Sequence, residues 1–304
     1  MRIGVGFPQH EIGIGNDVGA IREYVQAAES LGYSHLRTGD HVLGANAGSR
    51  PEWRGPYDHT HLWHETLTLF GYLAGITEKL ELTSSILILP QRQTALVAKQ
   101  AAEVDFLSQG RLRLGIGVGW NPVEYEALGE DFHSRGRRIE EQIDVMRDLW
   151  TQKLVTFEGR WHKITDAGLN PMPVQQPIPI WIGGGPGAAG GASSIQAERV
   201  IKRVAAKANG WFPSIGLENG VKDVISRLHK YMRNEGRDPS EVGIEGQISL
   251  DDKGPDRWIQ QALEWKHAGA THCSVYTLGL GYTSLDQHIA SQKLFQEAWA
   301  DVRH

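Results

Sequence analysis

Apolar residues in this chain switch between two spacings, and the switching is regular enough to count. The stretch from Gln91 to Trp120 shows it best. After the apolar run that ends at Pro90, Val97, Ala101 and Val104 recur at i, i+4, i+7, the spacing of a helix's buried face, with Ala98 and Leu107 beside them. Gly110 ends that helix, where a positive φ is common. The chain then enters RLRLGIGVG, in which Leu112, Leu114, Ile116 and Val118 alternate with Arg113, Gly115 and Gly117. The small residues let something pack close to one face of this strand. Strand, helix, strand is a βαβ unit, so the rest of the chain should show whether it repeats.

It does. Arg2 to Phe7 reads as a first strand, and Val18 to Leu31 as a helix with Asp17 at its N-cap. Ser34 to His41 is a second strand, followed by an irregular segment, Val42 to Trp63, rich in Gly, Pro, Trp and His. A helix over Glu65 to Ile76 and a strand over Leu80 to Leu89 precede the stretch already described. Arg137 to Trp150 carries Ile139, Ile143, Met146 and Trp150 on one stripe, a fourth helix. From Lys153 to Gln176 the pattern breaks into a hairpin turning at Glu158-Gly159 and a proline-rich run. Alternation then resumes with strands at Ile178–Ile182, Gly210–Pro213, Val242–Leu250 and His272–Leu278. Helices lie between and after them, over Ser194–Ala208, Leu217–Asn234, Pro255–Ala268 and Leu285–Trp299. Eight strands alternating with eight helices predict an α/β fold, a (β/α)₈ TIM barrel, as one domain over 1–304. The hairpin and proline-rich segment are an insertion between the fourth helix and the fifth strand.

Composition narrows the class. The 304 residues are 40% hydrophobic and 22% charged, ordinary for a globular protein. A net charge of −5 gives no basic footprint for nucleic acid. Cys273 is the single cysteine, which excludes an intrachain disulfide, and neither a leader pattern nor a membrane-length apolar run is present. The expectation is a cytoplasmic protein without membrane contact.

A barrel of this kind places its active site at the carboxyl ends of the strands. Those ends hold Phe7, Asp40, His41, Ser85, Ile86, Trp120, Asn121, Gly183, Gly184, Gly185, Trp211 and Tyr276. The set is aromatic and glycine-rich and short of metal ligands, which fits a flat heterocycle better than a metal hydrolase. His59, His61 and His64 follow a loop with no matching ligand cluster on another strand, so no metal is expected. GIGVG lacks the GxGxxG spacing and reads as close packing inside the barrel. The loop Gly183 to Ser194, GGGPGAAGGASS, lies between a strand and a helix, where backbone N–H groups can hold a phosphate; Ser193 and Gln196 form a capping box for that helix.

The chain resembles the bacterial luciferase-like family of flavin and deazaflavin enzymes, and within it the subgroup using coenzyme F420. The resemblance rests on TGDH (Thr38 to His41), SSILILPQR (Ser84 to Arg92), AKQAAEVDFLSQGRLRLGIGVGW (Ala98 to Trp120) and EALGEDFHSRGRRIEE (Glu126 to Glu141). FEGRWHKI, PIPIWIGG (Pro177 to Gly184) and ANGWFP (Ala208 to Pro213) extend it over nearly the whole chain. It implies that Asp40 and His41 stand beside the central ring of the cofactor, with His41 facing the reactive carbon and Asp40 holding backbone or ring edge. It also implies that Ser85-Ile86 forms a bulge, often with a non-prolyl cis peptide, that backs the ring, and that Gly183 and Gly184 begin the phosphate region.

A glutamate that works as an acid just after strand four in some relatives is replaced here by Trp120-Asn121-Pro122, and Glu124 comes later than that place. The implied activity is hydride transfer between F420 and a small molecule. FMN-dependent monooxygenation is the alternative, and a catalytically silent flavin-binding barrel a second one. Trp53, Tyr57, Trp63, Trp211 and Tyr276 make an apolar or aromatic substrate the expectation. A homodimer is expected, since Leu67, Leu69, Phe70 and Tyr72 of helix two exceed what one barrel contact needs and the resemblance implies pairing through helices two and three.

Overall fold

The computed structural model describes residues 1–11, 13–188 and 193–302. Its strands in chain order are β1 (Arg2–Gly6), β2 (His35–Thr38), β3 (Glu81–Ser84), β4 (Leu87–Ile88) and β5 (Leu112–Gly117), then β6 (Val155–Glu158) and β7 (Lys163–Ala167), and finally β8 (Ile180–Gly184), β9 (Gly210–Pro213), β10 (Gly243–Ser249) and β11 (His272–Tyr276). Pairing runs β1, β2, β3, β5, β8, β9, β10, β11 and returns to β1, every pair parallel, so the sheet closes. This is the eight-stranded barrel that the alternation predicts. Around it lie α1 (Val18–Ser30), α2 (Thr66–Ala74), α3 (Thr94–Leu107), α4 (Pro122–Ala127), α5 (Arg135–Thr151), α6 (Ser194–Lys207), α7 (Val221–Asn234), α8 (Pro255–His267) and α9 (Leu285–Ala300).

Local chemistry explains most boundaries. Asp17 caps α1 by accepting from the Ala20 amide, and Ser193 with Gln196 forms the expected capping box on α6. The predicted third strand is split, because the chain bulges at Ser85-Ile86, whose peptide bond is cis, before continuing as β4. The second strand stops at Thr38, so Asp40 and His41 stand on the loop beyond it. The predicted sixth helix is a 3₁₀ turn, Leu217–Asn219, and then α7, with Gly220 at φ +88° between them. The hairpin β6–β7 is antiparallel, and its turn lies at Gly159–His162, one step beyond the predicted position. Glu141 of α5 sets that turn by accepting from the amides of Arg160, Trp161 and His162.

Leu112, Leu114 and Ile116 of β5 join Ile180 and Ile182 of β8 in the apolar layer beneath the helices. The alternate residues meet inside the barrel, and there the contents are charged. Glu245 of β10 receives Arg113 of β5 at 2.7 Å, His35 of β2 at 3.2 Å and the Ser274 hydroxyl at 2.5 Å. Neither β5 nor β2 neighbours β10, so these contacts can only cross the lumen. Arg113 also reaches Glu81 at 2.6 Å, and its guanidinium lies 4.3 Å from the centre of the Trp181 ring.

Glycines make room for such side chains. A Cβ on Gly210 would lie 2.1 Å from two ring atoms of Trp181, and Trp181 is buried under Arg113 with nowhere to move. Gly210→Ala is therefore expected to cost about 1–3 kcal/mol by overpacking. Denaturant unfolding checks it, and an unchanged midpoint would show that the ring has room to shift.

Helix two does not present the excess apolar surface expected of it. Leu67, Leu69 and Phe70 are buried within the chain itself, and Tyr72 is half-buried. The exposed apolar residues nearby belong to α3: Leu96, Phe106 and Leu107, each about half exposed at 52%, 51% and 50%. No helix of the described residues is long and apolar enough to cross a membrane.

Candidate active site

A cavity of about 820 Å³ opens at the carboxyl ends of the strands, within the range of sites for drug-sized ligands. Ser85, Ile86, Trp120, Gly183, Gly184, Gly185 and Tyr57 line it, as expected from their places at strand ends. Ile86 is its shaped wall. A Cβ on Gly117 or Gly183 would lie 2.7 or 2.4 Å from the Ile86 side chain, so these two glycines are the slot that seats it. GIGVG is thus a packing motif: Gly115 faces Ser84 and Phe212, Gly117 faces Ile86, and Gly119 faces Ile88.

Other expected residues, His41, Trp53 and Trp63 among them, lie outside the lining of the cavity. Trp211 is buried, its indole N–H donating to the Gly184 carbonyl at 2.9 Å, and its neighbour Phe212 faces the cavity instead. Strand alternation exchanges the two. Tyr276 fills the space above Gly6, and Phe7 packs on Tyr24 and His64. Asn121 is the buried N-cap of α4, accepting from Val123 and donating to the Leu43 carbonyl. Asp40 is buried and committed: its carboxylate accepts from Arg92 at 2.7 Å and from the Ile88 amide at 3.1 Å. Burial raises its pKa, while Arg92 opposes the rise. It clamps the bulge to the start of α3, which makes it a positioning residue with no reach to the cavity.

His41 stands among aromatic rings, with Trp63 at 4.5 Å, Trp120 at 5.4 Å and Tyr57 at 5.7 Å between centroids. Trp53 packs on Trp120 at 5.5 Å, so the irregular segment after the second strand folds into an aromatic cover over this corner. His41 Nδ1 lies 2.9 Å from the carboxylate of Glu124, which also accepts from the Val42 amide at 2.5 Å. A carboxylate already accepting from an amide accepts a hydrogen bond from the Nδ1–H as well, and this leaves Nε2 as the nitrogen open to exchange a proton.

Glu124 is the residue that reading along the chain misses. Asn121-x-x-Glu124 has the form of a capping box, which would turn the carboxylate back onto its own helix. Instead the sharp start of α4, with Pro122 in its first turn, sends a fully buried Glu124 across to the loop after β2. Glu124 comes later in the chain than the glutamate of some relatives, yet this short helix brings its carboxylate to His41.

The outer part of the cavity is basic. Arg135, Arg199 and Arg203 line it beside the glycine loop. Arg135 stacks 3.6 Å from the Phe132 ring, and its buried Nε has no partner among the described residues. Gly184 and Gly185 hold φ of +119° and +112°, a backbone that glycine adopts without a Cβ clash. Positions 189–192 of the same loop lie outside the described residues. His64 bonds the Gly15 carbonyl and His61 bonds Asp58, so each has a local partner.

A glycine cradle, a bulge wall and a histidine–carboxylate pair at one mouth of a closed barrel suit a flavin-type ring with a charged tail. Residues 1–258 match the family model of luciferase-like monooxygenases. The chain belongs to the luciferase-like monooxygenase family. Among relatives of this luciferase-like chain, an uncharacterised protein of Mycobacterium tuberculosis (strain ATCC 25618 / H37Rv) is 31% identical over 283 residues, 90% of this chain and 91% of that one. The FMNH(2)-dependent dimethylsulfone monooxygenase of Pseudomonas putida is 32% identical over 168 residues, 54% of this chain and 42% of its own. Among solved structures, an F420-dependent secondary alcohol dehydrogenase with an F420-acetone adduct superposes with a TM-score of 0.76 at 18% identity, over 100% of this chain and 99% of that one. That superposition shows the shared luciferase-like barrel.

Proposed function

We propose that this protein is an oxidoreductase that binds the deazaflavin F420 in the cavity and transfers a hydride between it and a small molecule. The observation that carries the reading is the pairing of the Gly183–Gly185 cradle with Arg135 and Arg199 in the same lining, Arg203 being held by Glu140. A cofactor with a phosphate and further carboxylates along its tail suits that donor set. Ile86 and the bulge would back the ring, and the glycine cradle with Arg135 would hold the tail. When bound, the ring supplies the two-electron centre.

The chain's own residues supply the rest. His41, oriented by Glu124, takes or gives a proton at Nε2 as charge develops on the substrate. Trp63, Tyr57 and Trp120 keep water from that corner. Asp40 keeps the bulge in place.

FMN-dependent monooxygenation is the second reading, and the 32% identity to an FMNH(2)-dependent enzyme favours it. Titrating the purified protein with F420 and FMN separately, and following the visible spectrum of each, tests the choice. Saturable binding of F420 with little effect from FMN is the expected result. Saturation by FMN alone would replace the first reading by the second, and binding of neither would remove both.

We also propose pairing of two copies through the exposed apolar residues of α3, Leu96, Phe106 and Leu107. Light scattering is expected to give twice 33.7 kDa, and Phe106→Glu with Leu107→Glu to give monomer. A monomer mass for the unaltered protein would end that proposal.

A further inference from the structure

Inside the barrel two buried guanidinium groups, Arg37 and Arg113, share the two carboxylates Glu81 and Glu245 unevenly. Among the described residues the cluster holds the guanidinium groups of Arg2, Arg37 and Arg113 against the carboxylates of Glu81 and Glu245. Arg113 is bonded to both carboxylates, and Arg2 bonds Glu81 near the surface. Glu245 is already taken by Arg113, His35 and Ser274. Arg37 is left with Glu245 at 3.6 Å, beyond hydrogen-bond range. Its Nε has no hydrogen-bond partner among the described residues. Burial lowers the pKa of both His35 and His272, the latter to about 3, and protonating either would only add positive charge beside Arg37.

Arg37 is the guanidinium of this cluster that reaches the cavity wall. It is only 7% exposed, and it is held in place rather than loose. Its plane sits 4.6 Å from the Phe212 ring, and the Gln247 amide oxygen, turned toward it, accepts from Nη1 and Nη2 at 3.2 and 2.9 Å. A buried cation with an incomplete set of partners is costly unless an anion completes it. A fixed, planar fork suits a planar carboxylate, which accepts two donors side by side.

We propose that Arg37 is a specificity-determining residue, and that the molecule turned over in this cavity carries a carboxylate, which Arg37 and Gln247 receive at the inner end. This rests on the oxidoreductase reading for what happens to the molecule, but the recognition itself does not depend on which cofactor is used. It adds a charged end to the expected apolar or aromatic substrate: Phe212 and Tyr57 grip the body, and Arg37 the carboxylate.

The test is isothermal titration of the purified protein, without added cofactor, with benzoate and with its neutral counterpart benzamide. A charge-assisted pair of this kind should favour benzoate by about 10-fold or more. Arg37→Met, which keeps the stem and leaves the close partners of Glu245 untouched, should abolish that preference while benzamide and FMN or F420 bind as before. Arg37→Lys keeps the charge without the fork and should retain part of the preference; with circular dichroism it guards against a misfolded methionine variant. Equal affinity of the unaltered protein for benzoate and benzamide would overturn the proposal. So would a benzoate preference that survives in Arg37→Met, or an Arg37→Met variant that loses only cofactor affinity. Failure of both cofactors to bind would remove the oxidoreductase reading and leave the benzoate result standing on its own.

Discussion

His41→Ala should bind its cofactor about as well as the unaltered protein and turn over roughly 10²–10⁴-fold more slowly, the usual loss for one general acid or base. The reason is the pair it forms with Glu124: Nδ1 is held at 2.9 Å by a buried carboxylate, so the ring is fixed and only Nε2 can serve a reacting group. The measurement takes two parts on one variant. Cofactor titration reads binding, and single-turnover change of cofactor absorbance, with a compound that the unaltered protein converts, reads the chemical step. A histidine that merely packs among Trp63, Trp120 and Tyr57 predicts the reverse, weaker binding with an unchanged chemical step. Glu124→Gln keeps the shape but loses the charge, and it should slow the same step while the aromatic corner stays intact. Unimpaired turnover in His41→Ala would take the pair out of the mechanism.

Glu245→Gln should be among the most destabilising single changes available, costing about 3–5 kcal/mol, because it leaves the buried guanidinium groups of Arg113 and Arg37 facing an uncharged amide. The same residue sets an acid limit. Burial alone would raise the Glu245 carboxyl, but Arg113 and then His35 hold it well below the ordinary value of 4.5. A carboxyl with a depressed folded-state pKa contributes stability that is fully present above its unfolded value. That contribution is lost as pH falls below 4.5 toward the folded value. Denaturant midpoints measured across this acid range should fall steeply for the unaltered protein and less steeply for Glu245→Gln. Parallel slopes would show that another carboxyl governs acid unfolding.

How far the chain could be read in advance depends on what each feature needs. The bulge at Ser85-Ile86 lies where the family resemblance implies it, and Gly183 and Gly184 end a strand where the spacing puts them. Trp211 and Phe212 show the limit of such reading: both stand at a strand end, and a one-residue difference in register sends one to the core and the other to the cavity. Asp40 was readable as a strand-end acid, but not as the partner of Arg92, which lies on a different segment. β10 carries Glu245 and Gln247, although inward residues of a barrel strand are ordinarily apolar. Glu245 and Gln247 are polar since their partners, Arg113, His35 and Arg37, come from strands on the far side of the lumen.

The amino-acid sequence by itself determined the architecture, because hydrophobic spacing and turn residues act over a few neighbours and repeat eight times. It also determined where the mouth of the barrel lies and which short motifs surround it. Only the tertiary structure decided which of those residues meet. Glu124 reaches His41 across 83 positions, and Arg113 reaches Glu245 across 132, and no local spacing records either distance. Ion pairs and hydrogen bonds act over a few ångströms in space whatever their separation along the chain, so closing the barrel is what creates both the histidine–carboxylate pair and the incompletely partnered Arg37.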